Sequence, residues 1–323
     1  MFKASQSLLC RSKCPRLYNV NSREYITNIR LEDYIDGRVT KVESKFLAHY
    51  SSLRTVDLSP LSEVTSMGNF FMYECSSLET LDVSPLSKIT EIPRDFLRGC
   101  SSLKSLDMSS LSEVTSVGDD FMCGCTSLES LDVSPLSKIT EIQEFFLYKC
   151  SRLKSLDMSP LRNVTSIGDY FMIRCTSLDS LYTSPHNKIT HVSRGFLLGC
   201  SSLKYVDLSL FNQVASIGLW FMADCTSLVT LDVSPLSKIT EVPRGFLQGC
   251  TSLKSLDMSP LVNVRKLPAH FLKGRTGVKT VILPPLSPAS MRAAIKTLHQ
   301  RGIVALPPNP KRRKRDKKRS NEM

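Results

Sequence analysis

Phenylalanine recurs at a constant interval of 25 residues along most of this chain of 323 residues. The ten phenylalanines of the series are Phe46, Phe71, Phe96, Phe121, Phe146, Phe171, Phe196, Phe221, Phe246 and Phe271. Eight cysteines keep the same interval from Cys75 to Cys250. A globular domain does not keep such a register, because its elements occupy unlike surroundings. The period therefore predicts a coil in which each 25-residue repeat stacks on its neighbours.

In each repeat, apolar and polar residues first alternate as in a short strand, and a turn is then expected. In Leu78–Ser84, residues 81 and 83 are apolar and are predicted to point inward, while their neighbours point outward. A Ser-Pro dipeptide then ends the strand, since proline has no N–H to donate to a sheet. Ile89–Ile92 is typical of a second extended piece, and a helical or 3₁₀ turn is expected at Asp95–Cys100. Equivalent strands of successive repeats are expected to pair in parallel, about 4.8 Å apart.

The pattern L-x-x-L-x-[LV] followed by I-x-x-x-F-L-x-x-C resembles the leucine-rich-repeat superfamily, and its Phe and Cys positions resemble the BspA-like branch. The resemblance covers residues 28–286, with Ser-Pro-Leu where many such repeats carry asparagine. It implies an α/β solenoid of about ten 25-residue turns, with one parallel β-sheet on the concave face. Short strands and helical or 3₁₀ turns are implied on the other sides. Proteins of this kind commonly bind other macromolecules, and BspA-like proteins are often surface adhesins.

Four segments are predicted along the chain. A basic N-terminal segment, disordered or capping, covers residues 1–27, and the solenoid covers residues 28–286. A C-terminal capping helix is expected at 287–303, because Pro288 suits the first turn of a helix. Its apolar stripe consists of Met291, Ile295 and Leu298. A Pro-rich and basic tail, predicted to be disordered, covers residues 304–323.

The net charge of +12 is concentrated at the two ends of the chain. Residues 1–23 carry +5 and residues 311–323 carry +6, which leaves +1 for residues 24–310. A basic groove along the solenoid is therefore not expected, although a local basic patch is compatible with these charges. No apolar run approaches the roughly 20 residues of a membrane-spanning helix, so no membrane span is predicted.

The basic run in the C-terminal tail bears most on location. Its eight cationic residues are Lys311, Arg312, Arg313, Lys314, Arg315, Lys317, Lys318 and Arg319. The run resembles a nuclear-localisation signal, which binds a nuclear import receptor, or a non-specific nucleic-acid contact, and a solubilising tail is the third interpretation. The N-terminal segment lacks the apolar core of a secretory signal and fits a mitochondrial presequence loosely. These features favour an intracellular protein, nuclear or cytoplasmic, over a mitochondrial or cell-surface one.

No residue pattern indicates catalysis, a metal or a cofactor. The periodic cysteines occupy an apolar position of each repeat, and we expect them to pack as small hydrophobes rather than to form disulfides or bind metal. Cys10 and Cys14 lack a second pair of zinc ligands, and the five histidines form no metal-binding motif. The chain is therefore predicted not to be an enzyme and to bind neither cofactor nor metal.

An aspartate occupies the same outward position in most copies of the strand. The series is Asp57, Asp82, Asp107, Asp132, Asp157, Asp207, Asp232 and Asp257. Three positions earlier, basic and acidic residues alternate from Arg54 to Lys204, which offsets the repulsion between stacked carboxylates. One interpretation is a self-compensated, solvated face that prevents association. The other is an acidic stripe, including Asp132, Asp157 and Asp207, that recognises a basic partner or a cation.

Exceptions to the pattern cluster in three consecutive repeats. Tyr182 replaces an aspartate of the series, Tyr205 replaces a serine or threonine in the next repeat, and Val229 replaces a charge in the repeat after. On a strand face, the two tyrosines are diagonal neighbours about 7–8 Å apart, and tyrosine is common among interface hot spots. The same repeats carry His186 and Phe211 in core positions, which favours a second explanation, sequence drift.

The sequence therefore predicts a non-enzymatic scaffold that binds a protein partner on the strand face of a solenoid. The candidate contact residues are Tyr182, Tyr205, Val229, Asp132, Asp157 and Asp207. Two alternatives stay open. One is a nuclear adaptor that contacts nucleic acid through its basic C-terminal tail, and the other is a surface adhesin of the BspA-like type.

Overall fold

The computed structural model is a solenoid in which successive 25-residue repeats stack on one another. It describes residues 8–9, 26–35, 37–183, 188–272, 274 and 276–308. Nine positions of each repeat supply its interior, and all nine are buried in the repeat that begins at Leu78. They are Leu78, Leu81, Val83, Leu86, Ile89, Ile92, Phe96, Leu97 and Cys100. The leucine-rich-repeat architecture expected from the sequence is confirmed.

The phenylalanines line up along the interior of this solenoid. From Phe46 to Phe246, the centroids of successive rings lie 5.1–6.1 Å apart, and their planes are 4–25° from parallel. Each of these rings is buried. Offset-stacked rings at this spacing stabilise a structure beyond the area they bury. The phenylalanine column therefore holds neighbouring repeats in one register.

The regular secondary structure consists mainly of short strands, and every pairing among the described residues is parallel. The strands are β1 (Leu8–Leu9), β2 (Asn28–Arg30), β3 (Lys41–Val42), β4 (Thr55–Asp57), β5 (Ser66–Met67), β6 (Glu91–Ile92), β7 (Ser116–Val117), β8 (Glu141–Ile142), β9 (Ser155–Asp157), β10 (Ser166–Ile167), β11 (Ser180–Tyr182), β12 (His191–Val192), β13 (Ser216–Ile217), β14 (Ser255–Asp257), β15 (Thr280–Ile282) and β16 (Val304–Leu306).

These strands form two columns, one at the predicted strand and one at the second extended piece, as expected from the sequence. The first column, at the predicted strand, contains the pairs β2–β4 and β9–β11 and the trio β14–β15–β16. The second column, at the second extended piece, contains β1–β3–β5, β6–β7 and β8–β10–β12–β13. In the repeats between the strands of the first column, including the one that begins at Leu78, the first extended piece is not an assigned strand.

Backbone hydrogen bonds continue along the first column between its assigned strands. The N–H of Val229 donates to the carbonyl of Lys204 at 3.2 Å, and the N–H of Asp179 donates to that of Lys154 at 2.9 Å. Outward side chains of this column therefore keep a fixed spacing from repeat to repeat. We call this surface the strand face; it comprises the positions equivalent to 54, 55 and 57 in every repeat.

At 159–161 and 259–261 the sequence Ser-Pro-Leu forms a turn that is not 3₁₀. In five other repeats Ser-Pro-Leu or its variant Ser-Leu-Phe forms a 3₁₀ turn after the first extended piece. These turns are Ser59–Leu61, Ser84–Leu86, Ser134–Leu136, Ser209–Phe211 and Ser234–Leu236. Another 3₁₀ turn, Leu31–Asp33, lies in the irregular first repeat. The proline supplies a φ that suits the first position of such a turn and needs no donor there. The Ser-Pro dipeptide thus ends the strand, as predicted, by starting a turn.

The segment that closes each repeat is not helical, so the expectation of a helical or 3₁₀ turn at Asp95–Cys100 is wrong. Asp95, Leu97 and Gly99 have φ values of 58°, 54° and 77°, so every second residue is left-handed. The N–H groups of Asp95 and Gly99 donate to the following repeat at 2.9 and 2.7 Å, and that of Leu97 donates to the preceding repeat at 3.1 Å. The N–H groups of Arg98 and Cys100 make local turn bonds, at 3.3 and 3.2 Å, to the carbonyls three residues earlier. A helix directs all its interior N–H groups to its own carbonyls, whereas this segment also bonds each repeat to both neighbours.

A helix and a final strand lie at the C-terminal end. Helix α1 (Pro288–His299) follows Ser287, whose Oγ accepts a hydrogen bond from the N–H of Ser290 at 3.2 Å, an N-cap. Residues 304–306 form β16 and pair with β15, so the prediction that they belong to a disordered tail is wrong. Ala305 is buried between exposed neighbours, the alternation of a strand.

The apolar stripe expected on this helix faces the solenoid. Leu298 is buried, and Met291 and Ile295 are partly buried against the core. At the other end, β1, which lies in the segment 1–27, pairs with β3 of the solenoid. The remaining boundaries between the four predicted segments stay predictions.

Candidate functional site

Three apolar side chains stand out on the otherwise polar strand face. Tyr182 is 57% exposed, Tyr205 is 61% exposed and Val229 is 46% exposed. They lie in three successive repeats, at the 57, 55 and 54 positions of the strand face. In the part of the chain that the structure describes, neither tyrosine ring contacts another aromatic ring. We call these three residues the apolar seam.

The position of Tyr182 follows from the register of its strand. In the pairing of β9 with β11, Tyr182 lies opposite Asp157, and its carbonyl accepts a hydrogen bond from the N–H of Met158 at 2.9 Å. The backbone is thus held by the neighbouring repeat, while the ring projects beside the aspartate series. Register, rather than side-chain packing, places this tyrosine on the strand face.

The aspartates of the series have a structural task in their own repeats. Asp132, Asp157 and Asp207 each accept, through Oδ1, a hydrogen bond from the N–H two residues further on, at 2.8 Å. The donor is the serine at the start of the following turn, so the carboxylate caps that turn. In Asp57 and Asp107, the same backbone hydrogen bond is the main cause of a lowered carboxylate pKa. All three candidate aspartates are exposed, yet none is free of this local bond.

An open depression of about 360 Å³ lies beside the apolar seam. Its lining consists of Lys154, Ser177, Asp179, Ser202, Lys204 and Ser227. Asp179 accepts a hydrogen bond from the hydroxyl of Ser180 at 2.6 Å. Among the described residues, neither Lys154 nor Lys204 has an ion pair within 4 Å, whereas Arg54 and Glu79 of the same column approach to 3.9 Å. The depression therefore presents two ammonium groups to solvent.

The periodic cysteines pack inside the solenoid as expected. Each thiol donates to the carbonyl 28 residues earlier, with Sγ···O distances of 3.0–3.3 Å. Burial raises the pKa of the Cys175 and Cys250 thiols to about 12. Such a thiol is a poor nucleophile and a poor metal ligand at neutral pH. The described part of the chain holds no cluster of three metal-binding side chains.

A buried ionic cluster, which the sequence analysis missed, lies in two of the closing segments. Asp95 and Asp120 are only 1% and 4% exposed. The Arg98 Nη1 atom lies 3.0 Å from Asp95 Oδ1 and 2.9 Å from Asp120 Oδ1, and Arg94 Nε lies 3.1 Å from Asp95 Oδ2. Burial raises the pKa of Asp120 despite the nearby guanidinium groups. The signal in the sequence was a consecutive pair of aspartates at one position of neighbouring repeats.

Aromatic residues gather in later closing segments as a second unpredicted feature. The rings of Phe145 and Tyr170 stack at 5.0 Å, and Tyr148 meets Phe145 edge-on at 5.7 Å. The guanidinium of Arg194 covers Tyr170 at 5.0 Å while its Nε lies 2.7 Å from Asp169 Oδ2. These rings pack against one another and against Arg194, unlike the tyrosine rings of the strand face.

Several predicted residues lie outside the described part of the chain. They are His186, Cys10, Cys14 and the basic run Lys311, Arg312, Arg313, Lys314, Arg315, Lys317, Lys318 and Arg319. Phe211, the other sign of drift, is described and is fully buried, with its ring edge-on to Phe196 at 5.1 Å. The interior position that is leucine in most repeats is thus filled here by a larger apolar side chain, and the core is not disrupted. Among the described residues, no helix is both long and apolar enough to span a bilayer.

Comparison with known proteins identifies one family. Residues 18–135, 90–209 and 185–288 match the family described as "BspA type Leucine rich repeat region (6 copies)". A search of curated proteins returned no significant match.

Similar solved structures include three bacterial proteins. A leucine-rich cell surface protein of Faecalibacterium prausnitzii is 19% identical, with 87% of this chain and 83% of that chain covered and a TM-score of 0.46. A leucine-rich repeat protein of Bacteroides ovatus is 18% identical, with coverages of 81% and 82% and a TM-score of 0.35. An internalin of Listeria monocytogenes is 16% identical, with coverages of 88% and 81% and a TM-score of 0.25.

Proposed function

The chain belongs to the BspA-type leucine-rich-repeat family, and we propose that it is a non-enzymatic scaffold that binds a protein partner through the apolar seam of its strand face. The observation that carries this proposal is the exposure of Tyr182, Tyr205 and Val229 in three successive repeats. Elsewhere these columns hold mostly serine, threonine and charged residues. A contiguous set of apolar exceptions on a regular polar surface is typical of a binding site.

Tyrosine suits this role because it combines a large apolar ring with a hydroxyl group at low cost in conformational entropy. At residue 182 the repeat loses the aspartate that caps its turn elsewhere, as Asp157 and Asp207 do in the neighbouring repeats. Loss of a local stabilising contact in exchange for an exposed ring supports selection for binding over drift.

The aspartates take a smaller part in this proposal than the sequence suggested. Each of Asp132, Asp157 and Asp207 already accepts a backbone hydrogen bond within its own repeat. We assign them to the architecture of the turn and to the polar rim around the seam. The nucleic-acid adaptor and the surface adhesin stay predictions, and the basic run on which the first depends lies outside the described residues.

The test is a double variant that restores the ordinary residues of the repeat, Tyr182→Asp with Tyr205→Ser. Capture of the partner from an extract of the source cells is expected to fall about tenfold or more, because two hot-spot tyrosines are removed. The unfolding temperature is expected to stay the same, because both tyrosines are exposed and because aspartate and serine are the ordinary residues of their columns. Thr80→Ala with Ser130→Ala is the control on the 55 column outside the seam, and it should leave capture unchanged. Equal capture by the double variant and the wild type would overturn the proposal.

A further inference from the structure

The depression beside the apolar seam interrupts the charge alternation of its column. From Arg54 to Lys204, basic and acidic residues follow one another one repeat at a time. Asp179 is the single aspartate among the acidic residues of this run, the others being glutamates, and Val229 then stands where the next acid is due. In this column Lys204 consequently has the short side chain of Asp179 on one side and the uncharged Val229 on the other.

The charges lining the depression are therefore not balanced within it. Two lysines face one aspartate, which gives a net charge of +1. Asp179 is engaged by the hydroxyl of Ser180 at 2.6 Å, and neither ammonium group forms an ion pair in the described part of the chain. The aspartate series is also broken alongside, since Tyr182 stands in place of one carboxylate. A cationic pocket thus opens on a face that is elsewhere neutral or acidic.

Three hydroxyl groups complete the lining. Ser177, Ser202 and Ser227 are half-buried, and their side chains make no hydrogen bond among the residues that the structure describes. The adjacent position differs, because the hydroxyls of Thr176 and Ser201 donate to carbonyls of the preceding repeat at 3.3 and 3.4 Å. The three serines are therefore available as donors to a group that enters the depression.

We propose that this depression binds the carboxylate of an aspartate or glutamate of the partner, while the apolar seam covers an apolar side chain next to that acid. The inference rests on the proposed function and specifies the chemistry of the partner. Lys154, Lys204 and the serine hydroxyls offer donors to a ligand, and a carboxylate is an acceptor only. A nucleic-acid backbone fits poorly, because Asp157 and Asp207 flank the site and each phosphate needs its own compensating cation.

The experiment selects binders from a phage-displayed library of random twelve-residue peptides on the full-length protein. Binders are then sorted by whether they are lost on the Tyr182→Asp/Tyr205→Ser variant. Among those lost, we expect an excess of peptides in which aspartate or glutamate adjoins an aliphatic or aromatic residue. Replacing that acid in a synthetic peptide by its amide should weaken binding about tenfold, the effect of removing one charge-assisted hydrogen-bond partner.

The lysines are tested with Lys154→Gln/Lys204→Gln. This variant should bind the acidic peptide about tenfold more weakly and bind its amide as the wild type does. The matched control, Lys104→Gln/Lys254→Gln, removes the same charge from the same column outside the depression and should change binding less than about twofold, as expected for long-range screening. Thermal unfolding of each variant, followed by the fluorescence of the single tryptophan, Trp220, verifies the fold.

The outcomes separate the two proposals. Peptides that depend on the tyrosines but show no preference for acid, or an acid preference that survives Lys154→Gln/Lys204→Gln, overturn this inference and leave the proposed function standing. Selection that yields no tyrosine-dependent peptide counts against the proposed function and, with it, the inference. Equal loss of binding in Lys154→Gln/Lys204→Gln and in its lysine control also overturns the inference. The acid would then be attracted by the overall positive charge of the column rather than by the depression.

Discussion

The carboxylate of Asp107 accepts a hydrogen bond from the backbone N–H of Ser109 at 2.9 Å. The equivalent bond recurs in every described repeat that keeps the aspartate, at 2.8–2.9 Å. The aspartate series therefore has an origin in backbone geometry, because the turn that ends the strand exposes an N–H that the strand does not use. A series of acids on a surface does not by itself mark an acidic binding stripe.

Removal of one such acceptor should lower stability. Asp107→Ala is expected to lower the unfolding temperature, and Asp107→Asn less so, because asparagine keeps an oxygen that accepts the same bond. The hydrogen bond lowers the pKa of Asp107 below 3.8, its ordinary value. A lowered pKa means that the stabilisation is complete above that value and is lost as the pH falls through the lower pKa of the folded state.

Thermal unfolding at pH 7 and at pH 2 checks this prediction. The difference in unfolding temperature between Asp107→Ala and wild type should be clear at pH 7 and should shrink at pH 2. An equal difference at both values would show that the neutral carboxyl contributes as much as the carboxylate, against the capping role assigned to the charge.

The buried ionic cluster should be sensitive to loss of its central cation. Arg98→Met leaves Asp95 and Asp120 buried without the guanidinium that bonds both of them. We expect a loss of about 2–3 kcal/mol in the free energy of unfolding. This is less than the full cost of breaking a buried ion pair, because the Arg98 side chain is 37% exposed.

Chemical denaturation at neutral pH measures that loss. The matched control is Arg194→Met, which breaks the more exposed ion pair with Asp169 and should cost clearly less. Similar losses for the two variants would contradict the importance of burial. At lower pH the defect of Arg98→Met should diminish, because burial raises the pKa of Asp120 and protonation removes its charge.

The periodic cysteines should be unreactive in the folded protein. From Cys100 to Cys250, burial raises the thiol pKa, to about 12 in Cys175 and Cys250, so little thiolate exists at neutral pH. Alkylation with iodoacetamide at pH 7.5 is expected to be about 100-fold slower for these cysteines in native than in denatured protein. Mass spectrometry of the digested protein measures each site separately. Rapid native modification of Cys150 or its neighbours in the series would show that the interior opens readily.

The repeat pattern predicted much of the fold. Columns such as Phe46 to Phe246 and Cys75 to Cys250 are buried and aligned, because equal spacing places each side chain in equal surroundings. The second extended piece, exemplified by β6, also appears where the apolar pattern placed it. Tyr182 and Tyr205 are exposed on the strand face, as their positions in the repeat required.

Other features depend on interactions that an apolar pattern does not encode. The alternating left-handed residues around Leu97 arise because the closing backbone bonds to two repeats at once. The burial of Asp95 and Asp120 depends on Arg98, which approaches them from its place in the folded backbone. The depression between Lys154 and Lys204 likewise exists only when three repeats are stacked.

Periodicity alone therefore determined which side chains of this protein enter the interior and which remain on the strand face, because burial follows from position in a repeated unit. The tertiary structure decided the hydrogen-bond partners, the charge balance of each pocket and the addition of β16 to the first column. Those features depend on distances between atoms of different repeats, and such distances are set only when the repeats stack.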